Sequence, residues 1–172
     1  MADVAPIFAE AMALHKAGRL DDAERIYGRI LAAQPKHFDS LHLLGVIFLQ
    51  RGDAAAAVDA LTNRAVSLHA LKRYDEALAS LDRALALHPD NVEALTNRGV
   101  TLNALKRYDE ALISYEGALA LCPRDTDAFT NRGVALHELQ RIDEALESYD
   151  RALTLRRTMH KRFLIVVIVC TS

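Results

Sequence analysis

Residues 62–89 read TNRAVSLHALKRYDEALASLDRALALHP, and the phrase returns as TNRGVTLNALKRYDEALISYEGALALCP at 96–123 and as TNRGVALHELQRIDEALESYDRALTLRR at 130–157. Each copy begins 34 residues after the previous one. A fixed period of this length indicates one supersecondary unit stacked on copies of itself, because a single copy cannot bury its own apolar face. The sequence therefore predicts a stacked array of repeats.

The composition excludes several classes of partner. About half of the 172 residues are apolar (51%), which is enough for a continuous core. Charged residues make up 26% with both signs interleaved, and the formal net charge is −2. No overall field therefore attracts nucleic acid or an anionic membrane.

The cysteine count and the first residues indicate a cytoplasmic setting. Cys122 and Cys170 are the only cysteines, which is too few for a disulfide framework or a zinc site. The opening MADVAPIFAEAMALHKAG lacks a basic n-region and does not read as a signal peptide. We therefore expect a reducing compartment.

The apolar residues of one copy fall at helical spacing in two groups, which predicts two helices per repeat. The first group is Val100, Leu102 and Leu105, and the second is Ala111, Leu112, Tyr115, Ala118, Leu119 and Leu121. Asp109 and Glu110 lie in the first turn of the second helix, where negative charge favours the helix dipole. Gly99 and Gly133 are expected where two helices approach closely, and Pro89 and Pro123 are expected to stop the second helix.

The pattern of Gly99, Ala111, Tyr115, Ala118 and Pro123 resembles the tetratricopeptide repeat family. The resemblance implies an all-α fold, a right-handed superhelical solenoid of antiparallel helix pairs. The copies lie at about 4–37, 38–57 (truncated), 58–91, 92–125 and 126–157, and a basic and then apolar tail follows at 158–172.

The second copy is short. From Gly45 to the equivalent Ala65 is 20 residues instead of 34, so 14 residues are missing. A single helical stripe of apolar residues crosses this region without glycine or proline. We therefore predict one fused helix from Ala54 to Leu71, which serves as the second helix of copy two and the first helix of copy three.

The tail contains the apolar run from Phe163 to Cys170, which is eight residues long. A membrane-spanning helix needs about 20, so a membrane anchor is not expected. An array normally ends in a helix with a polar outer face, which this chain lacks. Three interpretations stay open: the run packs over the open end of copy five, it is the altered end of a longer protein, or it touches membranes.

The resemblance also implies a concave face lined by the first helix of each repeat. The residues expected to contact an extended peptide there are Asn63, Asn97, Asn131, Thr96, Thr130, Asn103 and His137. An asparagine amide both donates and accepts, so a row of asparagines can bind peptide groups without regard to the ligand's side chains. The neighbouring Arg64, Arg98 and Arg132 are expected to be structural.

No catalytic motif is present: the sequence has no glycine-rich phosphate loop, no Gly-x-Ser-x-Gly and no His-Glu-x-x-His. We therefore expect no enzyme activity, no cofactor and no metal. The inner-face cations of the co-chaperone carboxylate clamp are also missing, since Glu93 and Asp127 occupy two of the corresponding places.

The first hypothesis for function is a non-catalytic scaffold that binds an extended segment of another protein. As an alternative, the stretch NRGVALHELQRIDEALESYDRAL at 131–153 resembles the repeat region of spindly-type O-linked N-acetylglucosamine transferases. That resemblance implies a truncated substrate-holding portion of such an enzyme. A third possibility is self-association through the last repeat and its tail.

Overall fold

The structure is a computed structural model that describes the backbone of residues 4–170 and the side chains of residues 4–158. Over these residues it contains nine α-helices and no strand, which confirms the predicted all-α fold of a tetratricopeptide solenoid. The helices are α1 (Ala5–Lys16), α2 (Leu20–Ala33), α3 (Phe38–Gln50), α4 (Ala54–Ala70), α5 (Tyr74–Leu87), α6 (Val92–Ala104), α7 (Tyr108–Leu121), α8 (Thr126–Glu138) and α9 (Ile142–Cys170).

The chain divides into two compact units, one that ends at Asn97 and one that begins at Arg98. In the first unit each helix from α1 to α5 packs against the next. In the second unit α7 packs against α8, and α8 packs against α9. Consecutive helices are joined by only three or four residues. Such short connections join antiparallel helices, so the apolar faces of neighbouring helices meet along their length.

The fused helix is confirmed. α4 is 17 residues long and runs without interruption from Ala54 to Ala70, with Leu71 as its C-cap. It packs against α3 on one side and α5 on the other. Because it has two partners, eight of its 17 residues are buried, including the polar residues Thr62 and Ser67. A single helix therefore serves two consecutive repeats.

The turn between the two helices of each repeat uses one left-handed residue. In the first two copies this residue is Gly18 or Gly52, each with φ of 74°. In the other copies it is Lys72, Lys106 or Gln140, with φ of 59° or 60°. Glycine adopts this conformation without a steric penalty, and a lysine or glutamine adopts it because the flanking helices fix the turn.

Glycine in the first helix allows the aromatic ring of the second helix to touch the backbone. A Cβ atom placed on Gly99 would lie 2.4 Å from Cε1 of Tyr115, and one on Gly133 would lie 2.5 Å from Cε1 of Tyr149. Tyr115 is fully buried. The predicted close approach at Gly99 and Gly133 is therefore present.

The second helices end where the sequence suggests. α5 ends at Leu87 and α7 ends at Leu121, each two residues before a proline. α9 has Arg157 at the equivalent position, and its backbone continues to Cys170 for a total of 29 residues. The side chains of the apolar run at 163–170 lie outside the described residues, so the three interpretations of the tail stay predictions.

We expect Gly99→Ala to lower the free energy of unfolding by about 1–3 kcal/mol, because the new methyl group overlaps the buried Tyr115 ring. Gly45→Ala is the matched control, since its Cβ would meet Ala60 and Leu61 at an ordinary 3.6 Å. Urea denaturation followed by circular dichroism measures both. Equal effects of the two substitutions would contradict the account.

In copy three, alanine and leucine replace the glycine and tyrosine, as Ala65 and Leu81, and both are buried. We expect Leu81→Tyr alone to destabilise the protein by about 1–3 kcal/mol, since the methyl group of Ala65 occupies the space that the ring needs. Adding Ala65→Gly should restore much of the loss. A double-mutant cycle on urea midpoints measures this coupling, and purely additive effects would contradict it.

Candidate functional site

Three arginines of the first helices are held by serines of the second helices. In each case Nη1 donates to the hydroxyl of a buried serine 16 residues later: Arg64 to Ser80, Arg98 to Ser114 at 2.8 Å, and Arg132 to Ser148 at 2.6 Å. Each serine hydroxyl donates in turn to the main-chain carbonyl of Glu76, Glu110 or Glu144, four residues earlier. The hydrogen bonds tie the two helices of a repeat together.

The same glutamates also bind a second set of arginines through their carboxylates. Two nitrogens of each arginine donate to both carboxylate oxygens at 2.6–2.7 Å, in the pairs Arg73 with Glu76, Arg107 with Glu110, and Arg141 with Glu144. Hydrogen bonding from these arginines holds the pKa of all three carboxyl groups below its ordinary value. The turn between the helices of each repeat is thereby fixed at its end.

The expectation of a structural role for the arginines agrees with these contacts. Arg132 also lies 4.0 Å from the carboxylate of Glu116, which belongs to the preceding repeat. The sequence predicted a structural role for these arginines without identifying the buried serine as their partner. Its signal was present, because a serine follows each arginine at the same spacing in all three copies.

The predicted asparagines occupy equivalent positions on their helices. Asn63 is exposed on α4, whereas Asn97 on α6 and Asn131 on α8 are half-buried. Three residues after Asn63 and Asn131 stand Val66 and Val134, which are 42% and 41% exposed. Residues three apart share a helix face, so the side-chain amides of Asn63 and Asn131 each have an exposed valine beside them.

Asn103 has a packing contact instead. Its Nδ2 donates to the Tyr115 hydroxyl at 3.1 Å and to the main-chain carbonyl of Asn131 at 3.2 Å. The Oδ1 atom of Asn103 is buried without a hydrogen-bond partner. Burial also raises the pKa of the Tyr115 hydroxyl above its ordinary value. The amide nitrogen thus connects repeat four to repeat five.

The remaining predicted residues differ in exposure. The Thr130 hydroxyl donates to the main-chain carbonyl of Thr126 at 2.7 Å. His137 is exposed, with Nδ1 3.9 Å from the Glu138 carboxylate. Thr96 is half-buried.

The first unit also contains a pocket of about 520 Å³ that the sequence analysis did not anticipate. It lies between the α2–α3 connection and the end of α4, and its lining is mostly apolar. The lining residues are Ala33, Gln34, Pro35, Lys36, His37, Phe38 and Leu71. The guanidinium of Arg73 stands 4.4 Å from the centroid of the Phe38 ring, a cation–π distance.

Two other kinds of site are absent from the part of the chain that the structure describes. No three histidine, cysteine or acidic side chains come together there in an arrangement able to hold a metal ion. No helix in that part is both long enough and apolar enough to pass through a bilayer.

Family models for the tetratricopeptide repeat match residues 8–70, 62–126 and 126–159, so the chain belongs to this family. The first two matches overlap at 62–70, where α4 is shared by two repeats. Repeats of this family generally serve as non-catalytic scaffolds. Comparison with curated protein sequences finds no match.

Solved structures of tetratricopeptide proteins are similar to this chain. YrrB, described as having an unusual peptide-binding site, is 23% identical with a TM-score of 0.58, over 90% of this chain and 87% of its own. MamA is 22% identical with a TM-score of 0.57, over 88% of this chain and 96% of its own. The first repeat domain of RPAP3, bound to an HSP90 peptide, is 26% identical with a TM-score of 0.57, over 65% of this chain and 93% of its own.

The glutamate–arginine pairs predict how stability depends on pH. The pKa of each of the three carboxyl groups is lowered in the folded protein, so their contribution is complete above the ordinary value of 4.5. It is lost as the pH falls below that value and through the lowered pKa. We expect a variant with Glu76→Gln, Glu110→Gln and Glu144→Gln to lose less of its melting temperature between pH 7 and pH 3 than the wild type. An equal loss of melting temperature in both proteins would contradict a role for these carboxylates in the pH dependence.

Proposed function

We propose that the protein is a non-catalytic scaffold that binds an extended segment of another polypeptide along the exposed face of its first helices. The observation that carries the proposal is the pairing of an amide with an exposed valine, at Asn63 and Val66 and again at Asn131 and Val134. The amide can satisfy a peptide group of the ligand, and the valine offers apolar contact to one of its side chains. We expect this scaffold to work in the cytoplasm.

The neighbouring arginines support the proposal by fixing the surface before a ligand arrives. Arg64 and Arg132 stand directly after the two asparagines, and each is held by a buried serine of the next helix. A surface that is ordered in advance loses less conformational entropy on binding. By their repeat positions, Thr96 and Asn97 belong to the proposed surface of the first unit, and Thr130 and His137 belong to that of the second.

The proposed surface binds weakly and tolerates many sequences. One net hydrogen bond contributes about 1 kcal/mol, so a few amides alone give modest affinity. Main-chain recognition reads no ligand side chain, and the valines select only for apolar character. We therefore expect peptides without charged residues at the contact positions to be preferred.

The test is selection of binding peptides from a displayed library, followed by titration of fluorescent versions. We expect Asn131→Ala to weaken binding about fivefold, corresponding to one lost hydrogen bond of about 1 kcal/mol, and addition of Val134→Ala to weaken it further. Ile113→Ala is the matched control, because Ile113 is an exposed apolar residue (67%) on a second helix. Unchanged affinity in the double variant, or an equal loss in the control, would refute the proposal.

A second candidate is that this surface holds protein substrates for a glycosyltransferase of the O-linked N-acetylglucosamine type. The stretch at 131–153 is the observation that favours it. Sequencing of the surrounding genomic DNA in all frames distinguishes the two. A downstream transferase frame would support this candidate, and its absence would exclude it.

A further inference from the structure

The last repeat presents an apolar surface that the earlier repeats keep covered. Leu78 of α5 and Leu112 of α7 are equivalent residues of successive repeats, and they are 7% and 5% exposed. The equivalent residue of α9 is Leu146, which is 57% exposed. Ile142 and Leu153 of the same helix are 43% and 58% exposed. These three residues define the uncovered face of α9.

Inside the second unit, α8 follows α7 and covers the face of α7 that corresponds to the uncovered face of α9. α8 packs against both α7 and α9, and Gly133 marks its side toward α9. Ala128 and Ala135 lie about 200° around the helix from Gly133, at about 100° per residue, so they face the preceding repeat. Both are fully buried. The fitting surface is therefore a helix face with small residues seven positions apart.

The first helix of the chain carries the same positions without a cover. In α1 they are Pro6 and Ala13, and both are exposed. In every other first helix the equivalent pair is at most 5% exposed: Ser40 and Ile47, Ala60 and Ser67, Ala94 and Thr101, and Ala128 and Ala135. α1 thus has the shape of a helix that continues an array, and over the described residues its matching face is uncovered.

We propose that copies of this chain associate head to tail, with α1 of one copy packed on the uncovered face of α9 of another. This contact continues the interface between α7 and α8, and it goes beyond the peptide-binding function proposed above. The two surfaces are different, so each complex keeps one free α1 and one free α9. Such a contact adds further copies rather than stopping at a dimer, unless the rotation closes a ring.

Charge at the joint limits its strength. Between repeats four and five, Arg132 of α8 lies 4.0 Å from Glu116 of α7. The equivalent residues at the joint are Glu10 of one copy and Asp150 of the other, which are both acidic. Like charges oppose each other, so the wild type associates weakly and Glu10→Arg should strengthen the contact.

The experiment uses the full chain in size-exclusion chromatography with light scattering over a range of concentrations. The expected result for the wild type is a mass that rises with concentration and passes beyond two copies. Leu146→Glu and Ala13→Glu should each weaken association at least about tenfold, since each places a charged carboxylate in an apolar contact. Ile113→Glu is the matched control and should leave the mass unchanged.

Mixing the two blocked variants distinguishes the geometry. A protein with Leu146→Glu retains a working α1, and one with Ala13→Glu retains a working α9, so the mixture should form a one-to-one dimer and nothing larger. Circular dichroism melts confirm that both variants are folded, since both sites are exposed. A wild-type monomer at all concentrations, with Glu10→Arg also monomeric, would overturn the proposal. Association that survives Ala13→Glu would overturn it as well, because it indicates contact of α9 with α9.

Discussion

The contact between Gly99 and the ring of Tyr115 sets the distance between the two helices of a repeat. Because position 99 has no side chain, the ring lies against the backbone of α6. Arg98 and Ser114 each precede one member of this contact in the chain, and their hydrogen bond spans the same gap. Gly133 with Tyr149 and Arg132 with Ser148 repeat the arrangement. Steric fit and polar pairing therefore depend on one separation.

Because of these contacts, different faces of the first helix pack against different parts of the protein. Glycine and arginine face the second helix of their own repeat, and small residues such as Ala128 and Ala135 face the repeat before. Val66 and Val134, each three residues after an asparagine, remain substantially exposed. The proposed peptide-binding surface includes these exposed valines.

Much of the fold follows from periodicity, and less of the site does. The 34-residue period, the small residues and the prolines predict helix pairs, and the missing 14 residues predict the fused helix because an apolar stripe crosses the gap. Each of the three arginines is followed 16 residues later by a serine, but serine occurs on both buried and exposed helix faces, so this spacing alone does not predict the hydrogen bond. Asn103 looked like its neighbours in sequence, yet its amide bonds Tyr115 and the backbone of Asn131. The direction of the Asn103 side chain depends on the residues of both repeats that pack around it. The sequence of a single repeat therefore does not predict this direction.

The shared helix α4 has a consequence for how the protein opens. In an ordinary repeat array each unit can fray on its own, with neighbours coupled through their interface alone. Copies two and three have no separate interface here, since one continuous backbone belongs to both. Losing either copy exposes part of the buried surface of α4, so the two should open as one cooperative block while α1 and α9 exchange their amide hydrogens sooner.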